Sequence, residues 1–312
     1  MKVVLAGGSG LIGRALCSAL VQLGHEPVVL SRSPTRAVSR LPAGARCVEW
    51  HPPQLSGWTA ELVGAAAVIN LAGESVGVWP WTARRKRVLR ESRIIPTQIL
   101  VTALAALPRS DRPRVLVSAS GSDVYEGEDE VAATEETAPA DTFLSRLCLE
   151  WETAAHRAAE LGVRVVFART SLVIAREAPS LRLLMLPFRL FAGGPVGSGR
   201  QWMSWIDIVD ATALMLWALE REEINGPLNL SAPDPRHQAE FAEAIGVAIH
   251  RPSWLRTPAW AIRLALGDQA TLTLGSRRVW PAKALKTGFT FHYPRLEDSL
   301  LHLAGDAPVS LP

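Results

Sequence analysis

The chain has 312 residues, 48% of them hydrophobic and 20% charged, with a formal net charge of +3. This composition excludes a disordered or fibrous chain, and the length suits one large α/β domain with an annex or two small domains. Arginines are spread rather than massed, so the mild basic balance argues for solubility and an anionic small molecule, not a nucleic-acid surface.

Strand-like and helix-like segments alternate through the first two thirds. "KVVLAG" (Lys2–Gly7), "EPVVLS" (Glu26–Ser31), "RCVEW" (Arg46–Trp50), "AAVINLAG" (Ala66–Gly73), "RVLVSAS" (Arg114–Ser120) and "RVVFARTS" (Arg164–Ser171) are expected strands. Their near-continuous Val, Ile and Leu content is that of strands buried on both faces of a parallel sheet. Helical periodicity fills Leu11–Leu23, Pro80–Leu107 and Asp141–Leu161 between them. The pattern predicts an α/β fold with a Rossmann-type, doubly wound parallel sheet.

"GPLNLSAPDP" (Gly226–Pro235) adds one more strand and a loop, after which the sequence becomes Trp- and Pro-rich. Residues 1–235 are therefore expected to form the Rossmann domain, and 236–312 a small, mainly helical lobe over the strand ends. No apolar run is long enough to cross a bilayer, so no membrane partner is expected. Cys17, Cys47 and Cys148 lie in apolar stretches without metal or redox spacing. Buried thiols in a reducing, cytoplasmic setting are the expectation. His156, His237 and His250 show neither triad nor metal-ligand spacing, so no metal is expected.

Gly7, Gly10 and Gly13 form G-x-x-G-x-x-G directly after the first strand. The first glycine permits a tight turn, the second lets backbone approach a pyrophosphate, and the third lets the helix pack close to the sheet. The helix amino terminus then offers free N–H groups to the phosphates. Gly7, Ser9, Gly10, Leu11, Ile12 and Gly13 are the candidate dinucleotide cradle. NAD binders place an acid at the end of the second strand for the ribose 2′-hydroxyl. Here Ser31 and Arg32 stand there, with Arg36 just beyond, which favours the 2′-phosphate of NADP; Arg32 as a plain solvated loop residue is the alternative.

Beyond the loop, the whole chain resembles the epimerase family proteins of the YfcH type, atypical extended short-chain dehydrogenases/reductases with a small carboxy-terminal domain of uncharacterised function. The matching stretches are "GGSGLIG" (Gly7–Gly13), "NLAGE" (Asn70–Glu74), "WTARRKRVLRESR" (Trp81–Arg93), "LCLEWETAA" (Leu147–Ala155), "GGPVGSGRQWMSWIDIVD" (Gly193–Asp210), "RVWPAKALKTGFTF" (Arg278–Phe291) and "YPRLEDSL" (Tyr293–Leu300). The resemblance implies that Leu71, Ala72 and Gly73 run along the cofactor, with Ser118 and Arg169 completing the cofactor set. It also implies a catalytic hydroxyl near Ser120. The family's usual Arg before Trp81 is Pro80 here.

Active short-chain dehydrogenases use Tyr-x-x-x-Lys on the helix after the fifth strand, where one-turn spacing puts both side chains on one face. The phenol works as acid or base and the ammonium lowers its pKa. Aligned on the downstream "WE", those positions fall on Leu144 and Cys148, within an apolar stripe with Leu147 and Trp151. Neither tyrosine has a lysine one turn on: Asp129 follows Tyr125, and Glu297 follows Tyr293. Ser120 either persists as a hydroxyl near the nicotinamide or ends its strand without a role. Tyr125 is a candidate replacement acid, although a phenol without a neighbouring cation keeps a pKa near 10.

Substrate candidates are Glu74, Trp81, Lys86, Arg93, Arg200 and Trp202. Arg200 offers a donor fork suited to phosphate or carboxylate. Trp202 and Trp205 form either a stacking wall or packing between lobes, and the basic run Ala83–Arg93 is either a solvated helix face or an anion contact. The expected function is an NADP(H)-binding oxidoreductase or epimerase-like enzyme without Tyr-x-x-x-Lys, acting on a small, anionic or sugar-like substrate. The alternative is a cofactor-binding sensor or interaction protein with little turnover.

Overall fold

Apolar runs bounded by glycines pair as parallel strands in the computed structural model, which describes residues 1–55, 57–127 and 131–304. In chain order these elements are β1 (Lys2–Ala6), α1 (Leu11–Gln22), β2 (Glu26–Ser31), α2 (Pro34–Val38), β3 (Arg46–Glu49) and β4 (Ala67–Asn70). Next come α3 (Ala83–Ala106), β5 (Val115–Gly121), α4 (Phe143–His156), β6 (Arg164–Thr170), β7 (Leu172–Ile174) and α5 (Pro179–Arg189). The last third holds β8 (Trp202–Met203), β9 (Trp205–Asp207), α6 (Ile208–Glu220), β10 (Gly226–Leu230), β11 (Arg236–His237) and α7 (Gln238–Ala248). Four short helices follow: α8 (Ala259–Leu266), α9 (Thr271–Leu274), α10 (Ala282–Lys286) and α11 (Leu296–Ala304).

Seven strands form one parallel sheet in the order β10-β6-β5-β4-β1-β2-β3. The order reverses between β1 and β4, and open α/β sheets bind ligands at that switch point, outside the strand carboxyl ends. The expected doubly wound sheet is present. Successive strand residues face opposite ways, as the two-residue pleat requires. Val3 and Leu5 join α1 and α6 in one core, whereas Val4 and Ala6 join α3 and α4 in the other.

Element ends follow local hydrogen bonding. The expected strand Ala66–Gly73 stops at Asn70, whose Oδ1 accepts from the Ala72 N–H at 3.2 Å and turns the chain out of the sheet. The helix expected at Pro80–Leu107 starts only at Ala83, because the Thr82 hydroxyl caps it by accepting from the Arg85 N–H at 3.1 Å. The helix expected at Asp141–Leu161 begins after the Thr142 cap and ends at His156; a separate 3-10 turn, Ala159–Leu161, leads into Gly162 at φ +79°.

The carboxy-terminal elements share cores with the preceding ones. Phe241, Ile245, Leu296 and Leu300 pack with Ile174, Leu181 and Trp205. Ala284, Phe289 and Phe291 join the sheet core beside Ile224 and Leu228. Residues 305–312 of the expected lobe and Asp129 lie outside the described residues. Among the described residues no helix is long and apolar enough to cross a membrane, and no cluster of three or more His, Cys, Asp or Glu could hold a metal.

Candidate functional site

At the switch point the chain is held in close backbone-to-backbone contact. Gly7 has φ +78°, and a Cβ there would lie 2.7 Å from the Leu71 carbonyl oxygen. A Cβ on Gly13 would lie 2.5 Å from the Gly8 Cα, so the first turn of α1 can approach the loop only because residue 13 has no side chain. The Leu71 N–H donates to the Ala6 carbonyl at 2.8 Å and pins the loop after β4 against the loop after β1. Gly10 caps α1 without a side-chain hydrogen bond, and no acid occupies the first turn. The helix therefore presents its amino-terminal N–H groups and positive dipole end to the cleft. Ser9, Leu11 and Ile12 are partly accessible; Leu11 and Ile12 also pack against separate cores.

Arg32 and Arg36, which follow β2, are exposed. The Arg32 guanidinium lies 3.6 Å from the Glu74 carboxylate, and the Arg85 guanidinium lies 3.6 Å from its other oxygen. The Ser31 hydroxyl accepts from the Ser33 N–H at 3.2 Å, so it is partly committed to its own turn. Beyond β4, Leu71, Ala72 and Gly73 line the accessible edge. The Arg93 side chain crosses Gly73 so closely that a Cβ there would meet its Cγ at 3.2 Å. Arg93 donates to the Leu89 carbonyl at 2.9 Å and sits 5.2 Å over the Trp151 ring. Burial pushes its pKa below the ordinary arginine value, and the nearby Cys148, Asp123 and Glu74 oppose that shift.

Other substrate candidates have structural partners. Trp81 is buried against Leu89, Leu144 and Leu147, and its indole N–H donates to the Val76 carbonyl at 2.9 Å. Lys86 pairs with Asp268 at 2.5 Å. Arg200 is exposed, away from an ion pair among the described residues. Trp202 lies between the His237 ring, 3.8 Å away, and the Arg278 guanidinium, 4.3 Å away, while Trp205 is wholly buried and donates to the Asp234 carbonyl. Both tryptophans pack elements together.

On α4, the face that would carry the tyrosine–lysine pair is closed. Leu144 belongs to the Trp81 cluster, and Cys148 packs with Val124, Tyr125 and Val279. Burial pushes the Cys148 thiol up to about 12, so it stays protonated at neutral pH. Behind this face a buried polar network connects the strand ends. Parallel register sets Ser120 on β5 beside Arg169 on β6. The Ser120 hydroxyl donates to Glu152 at 2.6 Å, and Arg169 grips both Glu152 oxygens at 2.8 Å. Arg169 also donates to the Tyr125 hydroxyl at 2.7 Å, and that hydroxyl donates to Asn229 Oδ1 at 3.0 Å.

The expectation that Tyr125 lacks a neighbouring cation is corrected here: Arg169 reaches it from the next strand instead of from one turn along the chain. Burial nonetheless dominates and raises the phenol's pKa, with Arg169 and Asn229 only partly offsetting it. Burial disfavours the Arg169 charge, but hydrogen bonds to Glu152 and its charge outweigh that and hold the guanidinium above its ordinary value. The structure thus brings Ser120, Tyr125 and Arg169 into one network. The Ser118 hydroxyl is buried nearby on β5 without a hydrogen-bond partner. The reading from sequence missed Glu152 and Asn229. Glu152 belongs to the "WE" used only to align the helix, and nothing local in the sequence signals that it meets Arg169.

A profile described as the NAD dependent epimerase/dehydratase family matches residues 3–231, and one described as a domain of unknown function (DUF1731) matches 257–303. Epimerase family protein ML0860 of Mycobacterium leprae is 37% identical over 300 residues, covering 96% of this chain and 94% of the relative. Epimerase family protein YfhF of Bacillus subtilis is 34% identical over 310 residues, covering 98% and 99%. Among solved structures, human epimerase family protein SDR39U1 (isoform 2) with NADPH superposes with TM-score 0.86 at 30% identity, covering 98% of this chain and all of that one.

Proposed function

This chain belongs to the NAD-dependent epimerase/dehydratase family, and from that premise we propose that it is an NADP(H)-dependent, cytoplasmic oxidoreductase or epimerase-like enzyme that works without Tyr-x-x-x-Lys. The observation that carries the cofactor half is the uncapped amino terminus of α1, which follows β1, with Arg32 directly after the paired strand β2. The cradle fits a dinucleotide: glycine at positions 7 and 13 lets the loop and α1 pack backbone against backbone, which leaves the uncapped α1 N–H groups for a phosphate. The α1 N–H groups and Gly10 would hold the pyrophosphate, and Ser31, Arg32 and Arg36 the 2′-phosphate. Leu71, Ala72 and Gly73 would lie along its length. That the human relative was solved with NADPH supports this reading.

When bound, the cofactor supplies or accepts a hydride. Proton chemistry falls to this chain's own groups, and the buried Tyr125 phenol, already held at both ends, is poorly placed for it. Ser120 spends its proton on Glu152 and keeps acceptor lone pairs only. The closed α4 face favours, as a second reading, a cofactor-binding protein with little turnover.

Arg32→Asp should weaken NADPH by about tenfold or more, the loss of one charge-assisted contact of ~1.5–3 kcal/mol, and leave NADH within about twofold. Fluorescence titration with both nucleotides measures this, and equal losses would remove Arg32 from the 2′-phosphate. Failure of the native chain to bind either nucleotide would overturn the central reading. NADPH oxidation against a panel of carbonyl compounds separates enzyme from sensor.

A further inference from the structure

We propose that Arg85, Arg93 and Arg277 form an oxyanion subsite that takes a carboxylate or phosphoryl group of the substrate. The proposal rests on the reading of the adjoining loops as the cofactor cleft. Arg277 comes from the region matched as a domain of unknown function, so the subsite gives that region a role in binding.

The three guanidiniums are linked through two carboxylates off the ends of β4 and β5: Arg85 pairs with Glu74 and Arg277 with Asp123, and both acids bear on Arg93. Arg93 lies across Gly73. Arg85 donates to the Ser75 carbonyl at 2.6 Å. Arg277 pairs with Asp123, two residues past β5, at 3.0 Å, and Asp123 is also close enough to bear on the charge of Arg93. The carboxy-terminal wall is pinned in place: Gln269 donates to the Val76 carbonyl at 3.0 Å, and Leu272 packs on the Trp81 cluster.

Charge in this cluster is out of balance. Against three arginines stand Asp123 and Glu74, and Glu74 is shared with Arg32. Arg93 forms no ion pair among the described residues, although most of its side chain is out of water. Arginine does not shed its proton in proteins, and a poorly solvated charge without a counterion is costly. Elsewhere in the chain the contrast is plain: Arg169 is satisfied by Glu152, and Arg46 by Glu26 and Glu61.

Hydrogen bonding is also incomplete here. The Nε atoms of Arg85 and Arg277 and Oε1 of Gln269 are buried without a partner, whereas buried polar groups in folded proteins are generally paired. A guanidinium fork matches a planar carboxylate or a phosphoryl group in two parallel hydrogen bonds. On the same helix Lys86 is neutralised by Asp268 and Arg90 by Glu150, while Arg84 and Arg87 are exposed to water.

The test uses the NADPH-loaded chain, so that the 2′-phosphate position is filled, at constant ionic strength. Equilibrium dialysis is run with radiolabelled inorganic phosphate in one arm and radiolabelled malonate in the other, and the arm that saturates identifies the oxyanion. The expected result is one saturable site per chain, weakened at least tenfold by Arg93→Met and by Arg277→Met and unchanged by Arg90→Met. Arg277→Lys keeps the charge without the fork, and it should lose part of the affinity even if Arg277→Met folds poorly. No saturable binding in either arm, or undiminished binding in both Met variants, would overturn the proposal. NADPH fluorescence is read on the same samples. Loss of NADPH binding by the native chain would overturn the cofactor reading, whereas bound NADPH without oxyanion binding would overturn the subsite alone.

Discussion

Along the carboxyl edge of the sheet, the stretch between β1 and β4 and the stretch between β5 and β6 are built on opposite plans. The first is backbone: Gly7 against the Leu71 carbonyl, Gly13 against Gly8, and an uncapped helix end. The second is filled with side chains: Ser120, Glu152, Arg169, Tyr125 and Asn229 hydrogen-bond in series, with Leu144 and Cys148 closing the adjoining helix face. The first plan is that of the proposed nucleotide cradle. The second plan is a buried brace, with Leu144 and Cys148 at the positions where a tyrosine–lysine pair would stand.

The hardest blow to that contrast falls on the brace. Arg169→Met leaves Glu152 charged, buried and unpaired, and should cost about 3–5 kcal/mol of stability in urea unfolding. Adding Glu152→Met should recover much of it, and NADPH affinity of the folded protein should move little. A loss below about 1 kcal/mol, the value of a surface pair, would mean the brace does not hold the strand ends.

On the backbone side, Gly13→Ala forces a Cβ onto the Gly8 Cα. Overpacking of ~1–3 kcal/mol is expected, read as a tenfold or greater loss of NADPH affinity with a smaller loss of thermal stability. Equal losses in both would make Gly13 a general packing residue and blur the contrast.

The smallest effect is a pH slope at the position where the missing lysine would stand. Burial raises the Cys148 thiol from 9.0 to about 12, and Cys17 likewise to about 12. A folded-state pKa above the unfolded one means that stability is full below pH 9 and is lost as pH rises toward 12. Each thiol should contribute a fall of ~1.4 kcal/mol per pH unit in that window. Cys148→Ala should remove one such increment between pH 9 and 10 in urea titrations. An unchanged slope would place Cys148 in a wetter setting than its packing implies.

How much of this was legible in the sequence follows the same division. The glycine spacing and the strand runs are local signals: Gly7 directly follows β1, Gly13 lies within α1, and Arg32 directly follows β2. Element ends depended on single side chains, the Thr82 and Thr142 caps and the Asn70 turn, which shift boundaries by a few residues. The brace was illegible because its members meet only through strand register: Ser120 finds Arg169 across the β5–β6 pair, and Tyr125 finds Asn229 from 104 residues away. Searching one helical turn downstream of Tyr125 could not find a cation that arrives from a neighbouring strand. The basic run Ala83–Arg93 was visible as a run, but which of its cations are ion-paired depended on Glu150, Asp268 and Glu74 arriving from elsewhere.

Phe289 and Phe291, packed beside Ile224 and Leu228, carry a consequence for synthesis. The apolar face they cover cannot be sealed until residue 291 has left the ribosome, although every strand of the parallel sheet is complete by Leu230. Emerging chains with a finished sheet and an open face hold sticky intermediates for as long as the last stretch takes to make. A released chain truncated after residue 231 should therefore recruit chaperones where the released full-length chain does not.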